Sequence, residues 1–247
     1  MKSLQESLLD DEDIVVDRLN EAILIKEWLK KYDIQNYKIN KDNTIDVKGD
    51  VNLNHYSKSE LPSYIQFNII NGIFTINYSK IKTLRGCPQE VTNIFQCINC
   101  DSLKTLEGGP KKVEGEFNCS ECSKLTSLKG APKEVGSFYC QCNNSLKTLE
   151  GGPIIASYYH VDQCEKLISL EGSPKVVEYV FTCVECNSLK TLEGGPQKVG
   201  DYYSCHKCNS LTSVKGLPKT LDRLTKPEQI SKREILDICN IKFDNIY

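Results

Sequence analysis

One tryptophan, one methionine and three histidines stand in 247 residues, and no apolar run approaches the roughly 18 residues needed to cross a bilayer. The formal net charge of −2 provides no basic excess to hold a phosphate backbone, so no direct nucleic-acid partner and no membrane are expected. His55, His160 and His206 lie far apart, and G-x-x-x-x-G-K-[ST], H-E-x-x-H and G-x-S-x-G are all absent. The expectation is a non-enzyme, with no catalytic residue and no cofactor. The start, MKSLQESLLDDEDIV, is acidic where a secretory signal is basic and then apolar, so the expected location is the cytoplasm. Thirteen cysteines in a chain long enough for its own core, without an export signal, are expected to be reduced thiols.

What the sequence has in abundance is repetition. Pro88, Pro110, Pro132, Pro153, Pro174, Pro196 and Pro218 follow one another at 22, 22, 21, 21, 22 and 22 residues, each preceded two positions earlier by glycine. A period in the low twenties, with leucine at fixed offsets and no room for two helices, excludes the helical repeats and leaves the leucine-rich repeat. The shortest units, Val135-x-x-Phe138-x-Cys140-x-x-Asn143-x-x-Leu146 and Ala156-x-x-Tyr159-x-Val161-x-x-Cys164-x-x-Leu167, follow the L-x-x-L-x-L-x-x-N/C frame with one extra residue. The other units insert one residue early. Gly108, Gly130, Gly151, Gly172, Gly194 and Gly216 then mark the bends of successive coils and do not cradle phosphate.

The repeat, its lead-in IDVKGDVNLN and the closing L-x-G-x-P-x-x-V resemble the short leucine-rich-repeat proteins encoded by tailed bacteriophages, over roughly residues 37 to 224. The resemblance implies an α+β repeat solenoid: a leucine-rich-repeat-like parallel β-sheet array with an N-terminal helical and hairpin cap and a C-terminal helical cap. It also implies a cytoplasmic role in an infected bacterium, in which the protein inhibits or redirects a host enzyme or defence complex. A repeat match specifies fold better than partner.

The chain divides into an acidic leader (1–13), an N-terminal cap (14–60), the solenoid (61–224) and a C-terminal cap (225–247). Leu19, Ala22, Ile23, Trp28, Leu29 and Tyr32 recur at helical steps and predict an amphipathic helix over about 14–32, with Trp28 packed under the first coil. Tyr37–Ile39 and Ile45–Val47 alternate around NKDNT as a hairpin, and Val51–Leu53 adds a strand. Ile73, Thr75, Tyr78, Ile81 and Leu84 read as a degenerate coil. Ser231 predicts a helix cap, with Ile235, Leu236 and Ile241 closing the far end after Lys226 and Pro227. Capped ends favour a monomer.

Cys97-x-x-Cys100, Cys119-x-x-Cys122, Cys183-x-x-Cys186 and Cys205-x-x-Cys208 carry a zinc-like spacing, with 18 residues between successive pairs in each half. A 22-residue repeat generates that spacing by itself. Val161 replaces the first cysteine and Asn143 the second; valine fills the same small volume and asparagine can bond a turn, whereas neither replaces a thiolate on zinc. A buried cysteine ladder without metal is therefore expected. Cys142, Cys87 and Cys239 lie outside both columns and are the expected accessible thiols.

Strand side chains alternate between faces, so the outward columns read Ile94, Glu116, Ser137, Tyr158, Val180, Tyr202; Gln96, Asn118, Tyr139, His160, Thr182, Ser204; and Ile98, Ser120, Gln141, Asp162, Val184, His206. These columns share no chemistry, while the Leu, Gly, Pro and Val columns are nearly uniform. Positions fixed by packing recur and positions facing a partner are free to diverge. Tyr139, Tyr158, His160, Asp162, Val180, Val184, Tyr202 and His206 are thus the expected partner-binding residues on a concave face, and a host protein is the expected partner. Seven coils at about 4.8 Å each give a face on the order of 34 Å long, the scale of a protein interface. The competing readings are a virion-associated assembly protein, a zinc module, and a small-ligand enzyme using the concave histidines.

Overall fold

The computed structural model describes residues 19–247; the acidic leader and the expected start of the first helix, residues 14–18, lie outside them. The described chain is a β-solenoid around a 14-stranded sheet in which successive coils pair in parallel. The one antiparallel pair among the described residues is the hairpin of β1 (Tyr37–Ile39) and β2 (Ile45–Lys48). The helices are few: α1 (residues 19–31), α2 (Lys232–Leu236) and one short 3₁₀ turn at Phe243–Asn245. The return legs between strands carry turns and no helix.

Each coil must aim two inward side chains at one core from the same strand segment. Val113, Val135, Ala156 and Val177 form the first inward column, and Phe117, Phe138, Tyr159 and Phe181 the second. The second column follows the first by four residues in the longer units and by three in the shorter ones, so the longer strands bulge where they pair with a shorter neighbour. The pairing register shifts between Val113 and Glu116 of β8 (Lys112–Asn118) and, opposite Ala156 and Tyr158 of β10 (Ile155–His160), between Val177 and Val180 of the next strand. The extra residue of the longer units is absorbed in this bulge.

The second column is a continuous aromatic stack. Phe74, Phe95, Phe117, Phe138, Tyr159, Phe181 and Tyr203 follow at centroid spacings of 5.4, 5.1, 5.7, 4.9, 5.8 and 5.0 Å. These spacings match the separation of neighbouring strands, about 4.8 Å. Rings at equivalent positions therefore stack face to face, except that Tyr203 tilts by 35° from Phe181. The hydroxyls of Tyr159 and Tyr203 are buried without a hydrogen-bond partner, a cost that burial of the rings outweighs.

Two corners close each coil. At the first, a non-glycine residue takes a left-handed backbone in eight successive coils: His55, Tyr78, Asn99, Glu121, Cys142, Gln163, Glu185 and Lys207. These residues, which number coils 1 to 8 below, share no side-chain chemistry, so the conformation is imposed by the ladder. The amide of Glu121 bonds to the Gln141 carbonyl, that of Cys142 to Asp162, and that of Gln163 to Val184. Parallel pairing thus continues around the bend. At the second corner the expected glycines all have positive φ, from Gly108 at 87° to Gly216 at 98°.

At the N-terminal end Trp28 is buried, with its ring 6.5 Å from Tyr56 and 6.2 Å from Phe67, under the first coils as expected. The helix phase differs from the sequence expectation. Ile25, Trp28 and Leu29 face the core, whereas Leu19 and Ile23 are exposed. Ile23 stands about 200° around the helix from Ile25. In coil 2 the strand phase is also one residue off: Phe74, Ile76 and Ser79 are buried, while Ile73 and Thr75 are half-buried and Tyr78 is exposed at the corner. Ile81 and Leu84 are buried as expected.

At the other end the Ser231 side chain accepts a bond from the Glu234 amide, and Ile235 and Ile241 are buried; Leu236 is exposed, on the opposite side of a short helix. The last strand, β14 (Arg223–Thr225), is not left open. Tyr247 donates its amide to the Leu224 carbonyl and accepts from the Lys226 amide, and Leu224 bridges Ile246.

Candidate functional site: the sheet face of coils 5 to 8

The cysteines resolve into two columns with different physical demands. The first runs Leu53, Ile76, Cys97, Cys119, Cys140, Val161, Cys183, Cys205, all buried and apolar, with the larger Leu and Ile confined to the first two coils. The second must also donate a hydrogen bond. Cys100 donates its thiol to the Ile76 carbonyl at 3.2 Å, Cys122 to Cys97 at 3.1 Å, Cys164 to Cys140 at 3.2 Å, Cys186 to Val161 at 3.2 Å and Cys208 to Cys183 at 2.9 Å. Asn143 makes the same bond to Cys119 at 3.1 Å and also accepts from the Cys122 amide at 2.9 Å. Ser79 reaches the Leu53 carbonyl in coil 2. Cysteine, asparagine and serine share a donor, and a donor is what this column selects.

All thirteen cysteines are free, and among the described residues no three Cys, His, Asp or Glu side chains gather where they could hold a metal ion. Burial pushes the Cys119, Cys164 and Cys186 thiols well above the ordinary range. Two of the expected accessible thiols are not accessible. Cys87 and Cys239 are buried, and burial raises Cys239 to about 11. Cys87 stands just before a proline, in the column of Gly109, Ala131, Gly152, Ser173, Gly195 and Leu217, and Cys239 lies in the C-terminal cap, outside the repeat. Cys142 alone is half-exposed, its Sγ 3.0 Å from Gln163 Oε1, and its thiol is raised first by burial and then by Glu121, Asp162 and Glu185. Native protein treated with iodoacetamide should therefore label at Cys142 alone, slowly at neutral pH and faster as pH rises toward deprotonation. Peptide mass spectrometry that finds Cys87 or a ladder cysteine modified at a comparable rate would overturn the burial assignment.

On the outer face, the columns read from sequence are the paired columns of the sheet. Ile94, Glu116, Ser137, Tyr158, Val180 and Tyr202 are successive partners, as are Gln96, Asn118, Tyr139, His160, Thr182 and Ser204. The face divides by chemistry. In coils 2 to 4, Asn77 donates to Gln96 at 3.2 Å, and Gln96 and Asn118 each donate to Glu116 Oε1 at 3.2 Å, forming a self-satisfied amide ladder. In coils 5 to 8 aromatic rings replace it.

Tyr139 and His160 stack at 4.8 Å with 8° between ring planes, and His160 Nδ1 lies 2.9 Å from Thr182 Oγ1. Burial lowers the His160 pKa, opposed by Asp162. The imidazole is thereby kept neutral near pH 7. Tyr158 is exposed, and its ring lies 5.2 Å from the exposed ring of Tyr179. The Tyr202 hydroxyl meets Thr225 Oγ1 at 2.8 Å, and the Arg223 guanidinium sits 5.5 Å from the Tyr202 ring while pairing with Asp201. Val180, Val184 and His206 are half-buried in their columns. Asp162 is occupied within the fold: one oxygen accepts from the Val184 amide and the other from Gln141 Nε2, both at 2.8 Å. Its placement matches Asn54 and Asn77, which accept from the next coil's amide in the same column.

Sequence reasoning missed four exposed apolar residues beside this face: Tyr179, Ile154, Ile155 and Val176. With Ser157, Glu178 and Lys198, the three aliphatic residues line a depression of about 700 Å³. The signal was present one column earlier than the columns compared. Ile154 stands where other coils have Gln89, Lys111, Lys133, Lys175, Gln197 and Lys219, and Ile155 and Val176 stand where they have Glu90, Lys112, Glu134, Lys198 and Thr220. Tyr179 occupies the bulge, which only the longer units possess.

The fold and this face define a parallel β-solenoid with an aromatic surface on its later coils. Comparison with protein-family models, curated proteins and solved structures found no significant match to the chain.

Proposed function

We propose that the chain is a non-catalytic recognition scaffold that binds another protein through the sheet face of coils 5 to 8. The observation that supports this is the exposed, tilted pair Tyr158 and Tyr179 flanked by Tyr139, His160 and Tyr202, on a surface whose earlier coils carry hydrogen-bonded amides, Glu116 and the half-buried Ile94 and Ile98 but no aromatic ring in the paired columns. Rigid aromatics held by a regular sheet lose little entropy on binding and combine apolar area with a polar tip. The coils are read as a leucine-rich-repeat-type array, and the likeness to phage repeat proteins directs the search to a cytoplasmic host protein, a defence component first, that the chain inhibits or redirects.

Affinity capture from bacterial lysate tests the reading, comparing wild type with Tyr158→Ala, His160→Ala and Tyr202→Ala combined. A single protein held at stoichiometric amounts by wild type should be lost at least about tenfold by the variant, while Glu116→Ala with Asn118→Ala leaves capture unchanged. Equal capture by wild type and the triple variant, with both folded by circular dichroism, removes this face from the interaction.

A further inference from the structure

The row just before the bulge holds a charge pattern that the binding face does not use. Strand pairing places Glu90, Lys112, Glu134, Ile155, Val176 and Lys198 in one column along the solenoid. Ile155 and Val176 are 54% and 52% exposed, in positions that are charged in four of these six coils. Ile154, also exposed, and the rings of Tyr158 and Tyr179 widen this apolar centre to either side. Glu134 lies one coil before it and Lys198 one coil after, and neither takes part in an ion pair among the described residues. The column therefore reads acid, apolar, apolar, base at equal steps of about 4.8 Å.

Such a sequence is complementary to itself when reversed. We propose that this face is a two-fold interface between two copies of the chain. The axis lies in the contact plane, perpendicular to the direction in which coils stack, and passes between Ile155 and Val176. That operation sets Ile155 of one copy against Val176 of the other, and Glu134 against Lys198, twice over. In the neighbouring column it sets Ile154 against Lys175, whose methylene stem offers apolar cover, and Lys133 against Gln197, so no like charges meet within these four coils; Lys111 and Lys219 oppose each other only at the outer edge of the contact. Sliding one copy by a single coil places a charge on the apolar centre and leaves Glu134 or Lys198 unpaired, which fixes the register. The contact is isologous and closes at two copies. Its apolar centre is small beside a standard interface of roughly 1,600 Å², so the dissociation constant is expected on the order of micromolar.

This inference rests on Glu134, Ile155, Val176 and Lys198, which the proposed recognition function does not use, and shares with that reading only the rings of Tyr158 and Tyr179. Sedimentation equilibrium of the full chain from about 1 to about 100 μM should show monomer passing to dimer. Glu134→Lys alone, or Lys198→Glu alone, opposes like charges and should weaken self-association at least about tenfold. The decisive result is the mixture: the two single variants combined should associate with each other at wild-type strength, because both cross-pairs are then opposite in sign, and E134K/K198E together should restore the homodimer. All four positions involved are exposed, so circular dichroism of the variants should match wild type. A chain monomeric throughout this range, or a dimer that neither single reversal weakens, overturns the proposal; the first outcome also leaves the apolar shoulder to a different protein. His160→Ala with Tyr202→Ala, which leaves Tyr158 in place, should remain dimeric, which separates a failure here from a failure of the binding reading.

Discussion

Phe138→Ala should lower stability by about 3–5 kcal/mol and split the unfolding of the solenoid into two steps. Phe138 is fully buried in coil 5 between Phe117 at 5.7 Å and Tyr159 at 4.9 Å. Removing its ring leaves a cavity that cannot collapse, because the backbone above and below is held at ladder spacing. In a stacked array each coil contacts only its neighbours, so stability is close to a sum of coil and interface contributions. A hole in the middle weakens two interfaces at once and uncouples the halves. Trp28, the single tryptophan, lies against Tyr56 and Phe67 and reports the N-terminal half alone, while far-ultraviolet circular dichroism reports every coil. In wild type, urea melts followed by the two probes should coincide. In Phe138→Ala they should separate by midpoint. Coincident melts at the wild-type midpoint would show that the aromatic stack does not couple the coils.

Most of the array was legible because packing repeats. A position that meets the same neighbour in every coil is constrained in the same way, so the proline period, the inward Phe and Val columns, the corner glycines and the outward columns could be read by superposing the chain on itself. What resisted reading lacks that constraint. The left-handed corner is filled by His55, Tyr78, Cys142, Lys207 and others with no common property, since its φ comes from the backbone ladder and not from the side chain. The phase of coil 2 was ambiguous because Ile69, Ile70, Ile73 and Phe74 satisfy both alternations, and the larger ring took the interior. The first helix carries apolar residues all around, so period alone did not choose between Ile23 and Ile25.

The candidate site was half legible for the same reason. Divergence among coils located Tyr158, His160 and Tyr202, yet divergence also marks residues serving neighbouring coils, and Asp162 proved to be one of these. Ile154, Ile155 and Val176 were hidden by the opposite error. They lie between the proline and the inward valine, two columns so regular that the positions between them were read as uniform too.

Gly130→Ala is the second large effect, and it measures how the columns are kept in register. Gly130 has φ of 97°, and a Cβ there would lie 2.3 Å from the Leu106 carbonyl oxygen and 2.5 Å from the Glu107 nitrogen, one coil below. These are backbone atoms, so no side chain can swing aside; the coils must move apart or the corner must unwind. Gly49 provides the control, with φ of 128° and nothing within 4 Å of its would-be Cβ. Gly49→Ala should cost only the strain of a left-handed alanine, about 1–2 kcal/mol. Gly130→Ala adds the clash and should cost at least about 3 kcal/mol, a drop of roughly 6–12 °C in Tm for a chain of this size. Equal losses at the two sites would show that conformational freedom alone explains the glycines. A larger loss at Gly130 means that the coil-to-coil distance is set by bare backbone contact at this corner. The corner glycine of the coils that carry Tyr139 and His160 is Gly172, whose Cβ would meet the Leu149 and Glu150 backbone one coil below, so Gly172→Ala should loosen the recognition face without touching it.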